Sequence, residues 1–76
     1  MIGRDLLSPN VVDRFARLER RGCEGITVLS RGGGSPRFVA WLHLPSGKKL
    51  YHHAERPDAA ARSLADEAEA ALDDGT

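Results

Sequence analysis

The side chains with the most chemistry to offer are His43, His52, His53 and Cys23, followed by the pair Trp41 and Tyr51. Histidine and cysteine invite a metal, and zinc needs three or four such groups converging on a tetrahedron. Ligand pairs a few residues apart are missing, and an extended backbone through His52 and His53 sends their rings to opposite faces. The spacing therefore predicts no metal site. Cys23 has no evident base with a third group to orient it, which is what an activated nucleophile requires. Ser8 and Ser35 read as capping and turn residues. No catalytic residue and no cofactor is expected, and the chain reads as a non-enzyme. Residues 31 to 37, RGGGSPR, offer glycine amides to a phosphate, but phosphate loops lead into a helix whose dipole completes the site. Strand-forming residues follow here, so a turn is expected.

What remains is the stretch from Arg37 to His53, RFVAWLHLPSGKKLYHH. Apolar and polar residues alternate up to Leu44 with the period of a half-buried strand. Pro45, Ser46 and Gly47 suit a three-residue loop in which glycine takes the left-handed position of a bulge. That loop sets Leu44 opposite Lys48, Leu42 opposite Leu50 and Ala40 opposite His52. One face then carries Phe38, Ala40, Leu42, Leu44 and Leu50. The other carries Arg37, Val39, Trp41, His43, Lys49, Tyr51 and His53, joined by Leu29 and Arg31 from a preceding strand. A slip of one residue would scramble both faces, so the register is well specified. Aromatic rings among cations suit a protein interface, where Trp, Tyr and Arg concentrate binding energy. They also suit base stacking. The plainest alternative is a cross-strand pair that supports a thin sheet.

These strands need elements to hold them. Ser8-Pro9 is a helix start, with Ser8 as N-cap, Pro9 at the first turn, and Leu7 and Val12 at the positions of a hydrophobic staple. Val11, Phe15 and Leu18 form an apolar stripe, with Arg14, Arg17 and Arg21 expected on the opposite side and Arg20 nearby. Gly22 closes this helix, predicted over 9–21. Cys23 to Gly25 is a connection, and strands follow over 26–31, 37–44 and 48–53, with Ile26 and Val28 inward. Pro57 and Asp58 open a second helix over 57–73, whose Ala61, Leu64, Ala65, Ala68 and Leu72 make a shallow stripe that lets it lie close to a sheet. Residues 1–7 are a lead-in.

The fold class is α+β: a two-layer α-β-β-β-α arrangement, a three-stranded antiparallel meander with both helices on one face. A chain of 76 residues makes one domain, which buries roughly 60% of its unfolded surface and leaves little room for a deep dry pocket. A lone cysteine makes no internal disulfide, no apolar run approaches a membrane span, and MIGRDLL is too short and mixed for a signal peptide. A cytoplasmic chain is the expectation. Formal charge is zero, but residues 1–53 carry nine Lys and Arg against four Asp and Glu, and residues 54–76 carry two against seven. The front is basic and the final helix acidic.

From Val11 to Leu72 this order and spacing resembles a double-stranded-RNA-binding domain, with ITVLSRGGGSPRFVAWLHL standing for its first two strands and AAARSLADEAEAAL for its last helix. The resemblance implies the fold. Where that family carries a Lys-Lys-x-Ala-Lys cluster, this chain has Glu55-Arg56-Pro57-Asp58-Ala59, and its first strand loop carries glycine in place of the family's His. The segment from Phe38 to Leu72 is also similar to the β-β-α part of HicB-type antitoxins, which act through protein contact. The leading expectation is a small binding module whose partner is another protein or a second copy of itself, of the kind that serves as a regulator or inhibitor in bacteria and phages. Its contact residues would be Arg37, Val39, Trp41, His43, Lys49, Tyr51 and His53. The alternative is an RNA- or DNA-binding domain that uses Arg14, Arg17, Arg21, Arg31, Arg37, Lys48 and Lys49.

Overall fold

Local signals account for most element ends. A computed structural model describes residues 7–30 and 37–74. Helix α1 runs from Pro9 to Arg20, and the Ser8 hydroxyl accepts from the Val11 N–H at its start. Arg21 is the C-cap, so the helix stops one residue before the expected end. Strands β1 (Glu24–Ser30), β2 (Phe38–His43) and β3 (Lys49–Ala54) follow, and α2 runs from Pro57 to Asp73. The sheet is antiparallel with β2 in the centre. Ala40 faces His52 and Leu42 faces Leu50, in the register the loop dictates. The Leu44 N–H donates to the Lys48 carbonyl at 2.8 Å, the Gly47 N–H donates to the Leu44 carbonyl at 2.8 Å, and Gly47 sits at φ 95°. That is a type I turn closed by a glycine bulge.

The first strand corrects an expectation. It begins at Glu24, so Glu24 and Gly25 belong to the sheet and not to a connection. The register slips between Glu24 and Thr27, and Gly25 takes φ 66° there. One extra residue at a left-handed glycine is a bulge that lets pairing continue. At the other end Arg31 lies outside the described residues, as do the glycines that follow it.

Leu7, Val11, Phe15, Leu18, Cys23, Val28, Ala40, Leu42, Leu44 and Leu50 share one core with Ala60, Ala61, Leu64, Ala65 and Ala68 of α2. Both helices therefore cover the same sheet face. Helix α2 lies across all three strands, and α1 packs chiefly along α2. Alanine at four of the five buried α2 positions removes side-chain bulk from that contact and brings the helix close to the sheet. Ala60 joins the expected stripe, and Leu72 is only partly buried.

The candidate interaction face

The second sheet face is built in rows that the register sets out. Thr27, Trp41 and Tyr51 lie side by side, as do Leu29, Val39 and His53, and His43 lies between Glu24 and Lys49. The Trp41–Tyr51 pair is of the non-hydrogen-bonded kind, in which side chains approach most closely. The Lys49 ammonium sits 5.2 Å from the Trp41 ring centre and 5.6 Å from that of Tyr51. A cation over two rings is held by their quadrupoles. His53 meets Tyr51 edge to face at 4.7 Å between ring centres. Tyr51 stands 53% exposed, Trp41 is half-buried, and His43, Lys49 and Arg37 are exposed.

Exposure along this face is uneven in a way that alternation alone does not reveal. Val39 is buried although its side chain lies outside the helix-covered core, flanked in the register by Leu29 and His53. It lies in the row next to Trp41 on this face and presents little of itself. The centre is therefore Tyr51, with Lys49 and Trp41. His43 folds back over the β1 bulge, where a Cβ on Gly25 would lie 3.3 Å from its Nδ1. The Arg37 N–H donates to Glu55 at 2.8 Å, which joins the entry of β2 to the exit of β3.

Of the cations proposed for nucleic acid, Arg31 lies outside the described residues and the others are dispersed. Arg14 and Arg21 do not point away from the fold. Arg14 holds Glu69 with two nitrogens, at 3.1 and 2.8 Å, and also bonds Asp66, while Arg21 bonds Asp73 at 3.1 Å. These carboxylates raise the Arg14 guanidinium above its ordinary value, the Glu69 hydrogen bond most of all. Both arginines flank the apolar stripe on the side that meets α2, so the acidic helix acts as the counter-ion of the basic one. Lys48 pairs with Leu44 and so belongs to the helix side of the sheet, apart from Lys49. Arg17 is exposed on α1 and borders a shallow cleft with Arg21, Glu69 and Asp73.

The histidines separate as the register requires. His52 lies on the helix side, paired with Glu67 of α2, while His43 and His53 occupy opposite ends of the other face. Among the described residues no group of three His, Cys, Asp or Glu side chains converges. Cys23 is buried in the core, and burial pushes its thiol up, away from the reactive thiolate. Among the described residues no helix is long and apolar enough to cross a membrane.

No protein-family model matches the chain, and neither does a curated protein or a solved structure.

The contact that sequence reading missed is Asp58. Its Oδ1 accepts from the Ser8 N–H at 2.9 Å, and its Oδ2 accepts from Arg62 Nε at 2.9 Å. This carboxylate ties the first turns of both helices together. The acidic first-turn residue was visible as a dipole partner, but its true partner is 50 residues away.

Proposed function

We propose that this chain is a small non-enzymatic binding module that contacts protein through the open sheet face. The observation that carries the reading is the exposed Tyr51, set beside half-buried Trp41 and under the Lys49 cation on a sheet face that, among the described residues, no helix covers. Aromatic side chains on a rigid strand lose little freedom on binding and suit the desolvated centre of an interface. Among the described residues this face offers Lys49 at its centre, with Arg37 at one end and Glu24 at the other, which suits protein better than a phosphate backbone, since that draws several cations to one plane. The internal pairing of Arg14 and Arg21 supports the same preference. A regulator or inhibitor that works by occupying a surface of its target needs no more machinery than this.

The test places a photoreactive residue at position 51, and in a second variant at exposed position 66 on α2, in the native host. Light-scattering mass and titration of Trp41 emission with single- and double-stranded oligonucleotides accompany it. Cross-linking to a protein, or to a second copy, from position 51 and not from 66 is expected, with Trp41 emission unchanged by oligonucleotides. A monomer whose Trp41 responds to RNA or DNA with a steep salt dependence overturns the reading.

A further inference from the structure

The outer edge of β3 continues the open face in its backbone. Leu44 and Lys48 form a hydrogen-bonded pair, and such pairs recur at every second residue of an antiparallel ladder. The register from His43–Lys49 to Phe38–Ala54 runs without a break. It directs the N–H and C=O of Leu50, His52 and Ala54 toward β2. Those of Lys49, Tyr51 and His53 point the other way, off the edge of the three-stranded sheet. These are the same residues whose side chains form the open face. The β1 edge has the reverse arrangement: Thr27 and Leu29 share the open face but direct their backbones toward Trp41 and Val39. Of the two described sheet edges, β3 is the one where an added strand would complete backbone hydrogen bonds and also set its side chains beside the exposed ring.

Charge then selects the strand. Residues 48–54 hold two lysines, two histidines and no carboxylate. A second copy of β3 would bring no anion to Lys49: paired antiparallel with Tyr51 against Tyr51, it sets Lys49 beside His53. An acidic segment supplies the missing charge. We propose that the β3 edge receives an extended segment of another protein as a fourth strand, with a carboxylate beside Lys49 and an apolar or aromatic side chain beside Tyr51. Because alternate residues share a face, that segment carries the two groups two positions apart. The proposal rests on the open-face reading and adds where the contact is made and what the partner strand carries.

A displayed library of random ten-residue segments, selected against the full chain, provides the probe. Enriched segments should carry Asp or Glu two positions from an aliphatic or aromatic residue. Synthetic versions should change Trp41 emission and slow amide exchange at Lys49, Tyr51 and His53. Lys49→Glu should weaken them about tenfold, a modest loss for a charge reversal at an interface. His53→Pro, which deletes an outward N–H and leaves the ladder to β2 intact, should weaken them similarly, with its fold checked by circular dichroism. A selection that enriches nothing overturns the proposal, and so does a homodimer that already protects these three amides. Segments that change Trp41 emission but leave the β3 amides unprotected overturn strand addition and keep the open-face reading. Segments that touch neither overturn both.

Discussion

Asp58 shows how much one side chain can organise in a chain this short. Its carboxylate receives the Ser8 N–H at the start of α1 and the Arg62 side chain one turn along α2. The Ser8 backbone hydrogen bond is the main cause that holds it below the ordinary carboxylate range. Because the folded state favours the charged form, the contribution is complete above the unfolded value of about 4 and is lost as pH falls below it toward the folded value. Urea denaturation from pH 6 to pH 2.5 should show stability declining below about pH 4, and Asp58→Asn should flatten part of that decline while lowering stability at pH 6. An equal slope in both proteins would remove this role from Asp58. The serine cap was legible because its signal is local. The aspartate's role was not, since nothing within one helical turn announces a partner fifty residues back.

At the scale of an element, β1 is instructive. Glycine after Cys23-Glu24 reads as a break in any local analysis, yet the strand runs through it because pairing with β2 resumes after the bulge. A glycine there has two separate reasons, its φ of 66° and the His43 ring 3.3 Å from where a Cβ would stand. Gly47 has a positive φ of 95° but open space around it. Gly25→Ala should therefore cost about 1–2 kcal/mol and Gly47→Ala about 1 kcal/mol. Chemical denaturation of the two variants checks the order, and the imidazole resonances of His43 should shift in the first variant alone. The hairpin behaved as its residues dictate, since Pro45, Ser46 and Gly47 confine the chain to one turn and the turn fixes which side chains face each other.

For the whole molecule, the core and the interaction face should separate under mutation. Leu64 is fully buried where α2 crosses the sheet. Leu64→Ala should cost about 3 kcal/mol, a large share of the roughly 5–10 kcal/mol that holds a domain of this kind. Tyr51→Ala, on the exposed face, should change stability by about 0.5 kcal/mol and act on binding instead. Thermal unfolding of the two variants reads this difference directly. A Tyr51→Ala loss as large as that of Leu64→Ala would assign Tyr51 to the fold.

The sequence by itself determined the α-β-β-β-α order, the helix starts, the hairpin register and so the two faces of β2 and β3, because each follows from periodicity and turn chemistry within a few residues. Tertiary structure alone decided the fate of the charges and the exposure of the face. Whether Arg14 and Arg21 stand in water or meet Glu69 and Asp73 depends on where α2 lies across the fold. Val39, between Leu29 and His53, is buried, whereas His43, between Glu24 and Lys49, and Tyr51, on the edge strand beside Trp41, are exposed, though all three fall on one alternation. Alternation assigns a side chain to a face. Only the neighbours that the fold brings from elsewhere in the chain decide how much of it water can reach.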